Sequence, residues 1–407
     1  MTRKELFKKW NAHEEHGYDI SETDYVTDDE GRSPDIFWIY SGRNRGKSFT
    51  ICAECLADAY YDDRQLLYLR RHDATAYEVE DYFGDKSEFI KDMTDGRSDS
   101  VSYYRGSLYL SHTSTDLKTA GKRILDQEIG KFHAVSRHSS VKSLQYPKIF
   151  NYIYEEVLTD EAYISNEPDK IIEIWSTFTR HKKDARMFLI SNLVSIVNPY
   201  SKAWGLNLSK LKPDDTGLTK LYLNRIGKDG KEEYLLIAAH YLKDARELTK
   251  EDLKDKKKNR IKSTSNRWDE ARLYPHIDLK YIKLHDFKCI YTALFEWDDL
   301  IFQADIMRVP ENVLTCFLEE KEDEDLSSKN IHIMYIRRKT TPPKLNPRIY
   351  TNNPDRMGQM ITKGFKNVCK VDEIITDLTM RGWIIGTDNL CMNDFMRIYQ
   401  NLRLMAR

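Results

Sequence analysis

The sharpest constraint on this chain lies near its start, where a buried strand passes into a tight loop and the loop into a helix. Ile36-Phe37-Trp38-Ile39-Tyr40 is an unbroken aromatic and β-branched run between Pro34 and Gly42, and its length and composition predict a buried strand. Ser41-Gly42-Arg43-Asn44-Arg45-Gly46-Lys47-Ser48 follows, and Phe49 to Tyr60 reads as a helix. A loop of that length ending in Gly-Lys-Ser fits a phosphate-binding loop, in which backbone N–H groups of a turn and a helix N-terminus cradle phosphates. Lys47 would then reach the β- and γ-phosphates and Ser48 would offer its hydroxyl to Mg²⁺. Ser41 through Phe49 are the candidate nucleotide-binding residues, with ATP and Mg²⁺ as the expected cofactors. Gly-Lys-Ser alone is a common triplet, and its place between strand and helix makes it specific. Ser41 departs from the pattern, standing where the motif has its first glycine. The competing reading is a plain strand-turn-helix with a surface lysine.

Such a loop needs a metal-binding acid and a base at the end of a neighbouring strand. The run Ile149-Phe150-Asn151-Tyr152-Ile153-Tyr154 ends in Glu155-Glu156. Glu155 would hold Mg²⁺ through water and Glu156 would polarise the attacking water. Asp is the usual residue in the first of these places, so Glu155 is a second departure; the competing reading is two solvated glutamates. A further strand, Met187 to Ile190, ends in Ser191-Asn192, polar groups placed to sense the γ-phosphate and couple its loss to the domain, although a plain turn would also explain them. Arg180 and Arg186 lie just upstream of that strand as candidates for an arginine finger acting on a neighbouring subunit's nucleotide.

Around these motifs the first 200 residues alternate strands and helices, with strands at Leu66 to Leu69 and Ser107 to Ser111 and a helix at Asp169 to Thr177. That pattern predicts an α/β domain with a mostly parallel sheet. Residues 1–33 form a polar lead-in, 34–204 the α/β domain, and 205–284 a linker or insertion. That insertion carries a hairpin (Leu221 to Ile226 with Tyr234 to Ala239) and a basic polar stretch from Thr249 to Asn266, read as a solvated face. Residues 285–407 read as a smaller α+β domain: strands at Lys288 to Phe295, Leu300 to Ile306, Val313 to Leu318 and Ile331 to Ile336, an acidic loop from Glu319 to Asp325, and a helix over Asp394 to Met405. Cys52 and Cys55 form a C-x-x-C on the helix after the loop. With no second pair to complete a zinc site, helix packing is the favoured account. The chain has 64 basic and 65 acidic residues, a balance that argues against a static DNA binder, which is usually basic, more than against a motor that must release its track. No apolar run approaches the roughly 20 residues of a membrane helix, and no secretory signal is read at Met1-Thr2-Arg3-Lys4-Glu5.

Tyr146-Pro147, the strand ending in Glu155-Glu156, Thr179-Arg180, the Leu67-Tyr68-Leu69-Arg70-Arg71 strand and Ser191-Asn192-Leu193-Val194-Ser195-Ile196-Val197-Asn198-Pro199-Tyr200 together resemble the phi29-type phage encapsidation ATPases, small relatives of the terminase large subunits. The resemblance is strongest over 36–204, looser over 285–405 and absent over 205–284. It implies an ASCE-type P-loop ATPase domain, followed by an RNase H-like domain that is a remnant of a nuclease. It also implies a homomeric ring of five subunits docked on the portal of a procapsid in the host cytoplasm and absent from the mature virion. Double-stranded viral DNA would be the substrate moved, ATP hydrolysis the driving reaction, and a packaging RNA an open further partner. Arg43 has a counterpart in the family's loop, and the arginine matching Arg180 acts in trans. Cutting relatives carry an acid on the opening strand of the second domain. Here Lys288 to Phe295 has none, and Glu296, Asp298 and Asp299 follow where a turn is expected, so nuclease activity is not expected. The alternatives are a terminase that also cuts DNA, for which Asp298 and Asp305 would matter, and a ring component that binds nucleotide without hydrolysing it.

Overall fold

The computed structural model describes residues 1–11, 26–41, 46–116, 119–141, 146–159, 163–179, 182, 184–192, 195–206, 208–212, 214–226, 230–242, 287–297, 300–310, 331–339, 348–353 and 371–405. Gly42 to Arg45, Arg180, Asp298, Asp299, the basic stretch 249–266, the strand expected at Val313 to Leu318 and the acidic loop at Glu319 to Asp325 lie outside them. The chain divides into two units, Met1–Leu193 with Asn198–Asn266, and Val194–Val197 with Arg267–Arg407.

In chain order the first unit holds α1 (Arg3–Asn11), β1 (Ile36–Ser41), α2 (Lys47–Asp62), β2 (Gln65–Arg70), α3 (Ala76–Tyr82), α4 (Ser87–Met93), β3 (Ser100–Tyr104), β4 (Ser107–Thr113), β5 (Arg123–Ala134), β6 (Ile149–Glu155), α5 (Glu167–Phe178), β7 (Arg186–Asn192), α6 (Pro199–Trp204), β8 (Thr216–Ile226) and β9 (Glu232–Tyr241). Its strands form one sheet in the order β3-β4-β5-β2-β6-β7-β1-β9-β8. The six strands from β5 to β9 across the middle run parallel, and β3, β4 and β8 are antiparallel additions at the edges. Every residue of β1 is buried, as its continuous apolar sequence demands of a strand covered on both faces.

Strand alternation sends Phe37 and Ile39 of β1, Phe188 and Ile190 of β7 and Ile153 of β6 to one face. There they pack with Ile51, Cys52, Cys55, Leu56 and Ala59, a helical stripe on α2. Cys52 and Cys55 are free, fully buried thiols on that stripe, and burial pushes the Cys52 thiol up to about 12, which suits packing. The opposite face presents Trp38 to Tyr200 and Trp204 of α6, at ring distances of 5.8 and 6.3 Å, and Tyr152 to Trp175 of α5 at 5.1 Å.

The expected hairpin is present, but β8 and β9 are not a segment apart: β9 pairs in parallel with β1 from Ile36↔Ile237 to Tyr40↔Tyr241. The physical reason is that β1 has a second edge to satisfy, and Leu235 to Ala239 is apolar enough to be buried there.

The second unit contains β10 (Lys288–Trp297), β11 (Leu300–Arg308), β12 (His332–Lys339), β13 (Arg348–Thr351), α7 (Glu373–Met380), β14 (Ile384–Gly386) and α8 (Asn389–Met405). Its sheet runs β13-β10-β11-β12-β14, with an antiparallel β10-β11-β12 meander and β13 parallel to β10. β10 extends to Trp297, so Glu296, expected in a turn, stands inside the strand opposite Ile301. Val197 belongs to this unit's core with Phe295, Phe302, Ile333 and Phe395. Asp394 on α8 fixes the short segment it comes from, accepting hydrogen bonds from Ser195 Oγ at 2.5 Å and the Ile196 N–H at 2.9 Å. No helix among the described residues is long and apolar enough to cross a membrane.

Candidate functional site

Parallel strands leave their carboxyl ends at one edge of the sheet, where ligands of open α/β sheets bind. At that edge Ser41 ends β1, Asn192 ends β7 opposite it in register, and Glu155 ends β6 opposite Ile190. All three side chains share the face covered by α2. That helix opens on Lys47 after Gly46, whose φ of 69° lies in the left-handed region that glycine adopts without a Cβ penalty. Its N-cap residue, Gly46, brings no side chain of its own to the first N–H groups, and the start of a helix is where backbone N–H groups can meet an anion.

Lys47 is buried, and its Nζ donates to Ser41 Oγ at 2.6 Å and lies 3.5 Å from Asn192 Oδ1. The departure at Ser41 therefore has a structural consequence: its hydroxyl accepts from the lysine and ties it to the end of β1. Ser48, one helical position on, hydrogen-bonds the Glu155 carboxylate, and Tyr82 donates to Glu155 Oε1 at 3.2 Å. Burial raises Glu155 above the ordinary glutamate range, against the lowering pull of Ser48, Lys86 and Tyr82. A hydroxyl and a carboxylate are hard oxygen donors of the kind Mg²⁺ takes one or two at a time beside phosphate and water. The residues present therefore fit that ion. Among the described residues no cluster of three or more His, Cys, Asp or Glu is placed to hold a metal.

Glu156 follows immediately in the left-handed region at φ 57°, a conformation that costs a non-glycine residue energy. Its side chain is exposed and pairs with Arg70 Nη2 at 3.3 Å. Directly behind it, Arg71 Nη2 donates to the carbonyls of Glu156 at 3.1 Å and Val157 at 3.0 Å.

Not every residue expected at the site is brought to it. Ser191 points to the other face of the sheet and accepts from Trp38 Nε1 at 3.0 Å. A period of two separates it from Asn192. Phe49 packs with Trp10 and Phe89 at ring distances of 5.6 and 6.3 Å. Arg186, a candidate for reaching a neighbouring subunit's nucleotide, starts β7 at the opposite edge of the sheet, bound to Asp58 at 3.2 Å. Sequence reasoning missed Tyr82 and Lys86. The signal available was Thr75-Ala76-Tyr77-Glu78, which forms a capping box with Glu78 N–H to Thr75 Oγ1 at 3.2 Å and Thr75 N–H to Glu78 Oε2 at 2.6 Å.

The fold and this edge define a mixed α/β sheet protein whose candidate site joins a helix N-terminus, a lysine and a strand-end acid. Residues 35–211 match the family described as Podovirus DNA encapsidation protein (Gp16), and over that stretch the chain is similar to the phi29-type proteins its motifs resembled. It is 24% identical over 174 residues to the DNA packaging protein of Bacillus phage B103, covering 42% of this chain and 47% of that protein. It is 25% identical over 169 residues to that of Bacillus phage phi29, covering 40% and 44%. The matched stretch thus spans about half the length of these relatives. Among solved structures, the Phi-28 gp11 DNA packaging motor aligns at 19% identity and a TM-score of 0.41, covering 93% of this chain and 98% of that one. The bacteriophage Phi-29 viral genome packaging motor assembly aligns at 16% and 0.43, covering 96% and 100%.

Proposed function

We propose that the chain is an ATP-hydrolysing subunit of a phage motor that drives double-stranded DNA into a procapsid. The observation that carries the reading is the meeting of Lys47, Ser48, Glu155 and Asn192 at one edge of a parallel sheet, at the start of α2. Family similarity over 35–211 supports the choice of nucleotide and task. The strand order adds to it, because β7 stands between the loop strand β1 and the acidic strand β6, the arrangement expected of an ASCE-type ATPase.

In this reading Lys47 partners the β- and γ-phosphates, while the N–H groups of Gly46 to Phe49 and the loop from Gly42 to Arg45 surround them. Ser48 and Glu155 hold Mg²⁺, which neutralises phosphate charge when bound. Glu156 accepts a proton from the attacking water. Asn192, within reach of Lys47, registers the loss of the γ-phosphate. Arg180 acts on the nucleotide of a neighbouring subunit, in a homomeric ring of five docked on the portal, with a packaging RNA as a possible further contact. The second unit, whose β10-β11-β12 meander with β13 beside β10 fits an RNase H-like remnant, handles DNA or portal without cutting.

Phosphate release by the purified protein with Mg²⁺, ATP and DNA tests the reading. Lys47→Ala should abolish binding of a fluorescent ATP analogue and all turnover. Undiminished affinity would remove the central claim, and binding without any turnover in the native protein would favour a nucleotide-binding ring component.

A further inference from the structure

On the face of the sheet turned away from the candidate site lies an ion pair that the hydrolytic reading does not use. Glu167, fully buried at the start of α5, accepts from Arg71 Nε at 2.9 Å and from Arg71 Nη2 at 3.0 Å. Tyr154 Oη and Tyr200 Oη donate to it at 2.7 and 2.5 Å, and the Ile164 N–H at 2.9 Å. Arg71 is buried too and lies over the Tyr163 ring at 5.2 Å.

A buried pair of this kind contributes little to stability compared with an apolar replacement of the same volume. What distinguishes this one is where its remaining donor goes. The Nη2 that grips Glu167 also donates to two successive carbonyls, Glu156 and Val157, and Glu156 is the non-glycine residue held at φ 57°. Strained backbone persists only where its surroundings over-determine it. A planar guanidinium offers donors in a fixed fork: here Nε and Nη2 are fixed by the carboxylate, so Nη2 presents a rigid donor to the turn.

We propose that Arg71 and Glu167 are positioning residues for the hydrolytic base: the carboxylate aims the guanidinium, and the guanidinium holds the Glu156 turn in its left-handed form so that the side chain leaves β6 toward the nucleotide edge. Neither touches the reacting atoms. The proposal rests on Glu156 being the base.

The test is a cycle between this pair and Glu156. In Arg71→Met/Glu167→Gln both charges are removed together, and the amide keeps an acceptor for the two tyrosines. This variant should melt near the native temperature, bind a fluorescent ATP analogue with native affinity, and lose about 10²-fold in kcat with KM little changed, the scale of a misplaced catalytic group. Introduced into Glu156→Gln, where there is no base left to position, the same pair of changes should cost almost nothing further. Arg71→Lys, which keeps the charge but not the fork, should show the same kcat loss and covers the case in which the double variant fails to fold. Native turnover in these variants, or a loss of equal size in the Glu156→Gln background, would overturn the proposal. Absence of ATP hydrolysis in the native protein would instead refute the parent reading.

Discussion

Two glutamates of the first unit, on opposite faces of one sheet, are held in contrasting ways. Glu155 meets hydroxyls, those of Ser48 and Tyr82, and burial lifts it above the usual glutamate range. Glu167 is fully buried, and burial pushes it up as well, yet the Arg71 fork and the tyrosine hydroxyls outweigh this and hold it below that range. Lys86, whose charge acts on Glu155, is itself bonded to the Tyr82 carbonyl and Asp85 at 2.7 and 2.5 Å. An acid already neutralised by an arginine is finished as structure. An acid that bonds hydroxyls and has no arginine fork gains more from a divalent cation, and Glu155 is the one that lies at the strand ends beside Lys47 and Ser48.

The largest effects should come from the adjacent strand-end acids. Glu156→Gln keeps the side chain's shape but cannot take a proton, so turnover should fall by about 10²- to 10⁴-fold with ATP binding intact. Glu155→Gln should act through the metal, raising the Mg²⁺ concentration needed for half-maximal phosphate release. If Glu155→Gln alone stops hydrolysis at saturating Mg²⁺ while Glu156→Gln turns over at the native rate, the two roles are exchanged.

Next in size is a buried carboxylate of the second unit, which burial holds above the ordinary aspartate range in spite of its arginine. Asp394 is fully buried, paired with Arg338 and bonded to Ser195 and Ile196. Asp394→Ala should cost about 1–3 kcal/mol, chiefly by taking the buried acceptor from the Ser195 hydroxyl and the Ile196 N–H, since Arg338 keeps part of its side chain in water. A native urea midpoint for Asp394→Ala would show that arginine-paired acids here are not structural.

How much of this could be read from the sequence follows from the same geometry. β1, β6 and β7 were legible because strands buried on both faces are continuous apolar runs. So were Lys47, Ser48 and Glu155, because a strand end and a helix start fix their place locally. β5 was not, since Arg123 to Ala134 mixes charged and apolar residues. Its clue was a single glycine: a Cβ on Gly130 would lie 2.2 Å from the Leu66 carbonyl oxygen of the neighbouring strand. The docking of β9 on β1 joins residues some two hundred positions apart, and nothing local encodes a parallel partner. Ser191 and Asn192 look alike as a pair of polar residues, and only the register with Tyr40 and Ser41, which sends Ser191 to the Trp38 face, separates them.

A gentler probe is pH, because the two glutamates should respond with opposite signs. Glu167, held low, contributes stability that is complete above the ordinary glutamate value of about 4.3 and is lost as pH falls through its folded value. Glu155, held high, keeps its proton longer folded than unfolded, so its contribution is complete below that value and is lost as pH rises through its folded value. Urea midpoints measured from pH 3 to 7 should therefore lose part of their acid-side fall in Glu167→Gln and part of their rise-side loss in Glu155→Gln. The opposite assignment would break the contrast between the two faces.

The smallest expected effect is none at all, and it concerns nuclease chemistry in the second unit. A two-metal site needs carboxylates open to cations. Asp305, on β11 opposite Thr292, accepts from Thr292 Oγ1 at 2.6 Å and Gln303 Nε2 at 2.7 Å, and its other oxygen pairs with Arg337 at 3.0 Å. It is held as Glu167 is, by an arginine and neutral donors, and a metal would have to displace that arginine first. Glu296 lies within β10, but among the described residues no second and third acid gather with it. Supercoiled plasmid incubated with the full chain and Mg²⁺ or Mn²⁺ should stay intact, and Asp305→Asn should leave both the plasmid and ATP turnover as they were. Metal-dependent nicking that disappears in Asp305→Asn would mean that the Arg337 pair opens to admit a cation, and the division between finished and open acids would then have to be redrawn for the second unit.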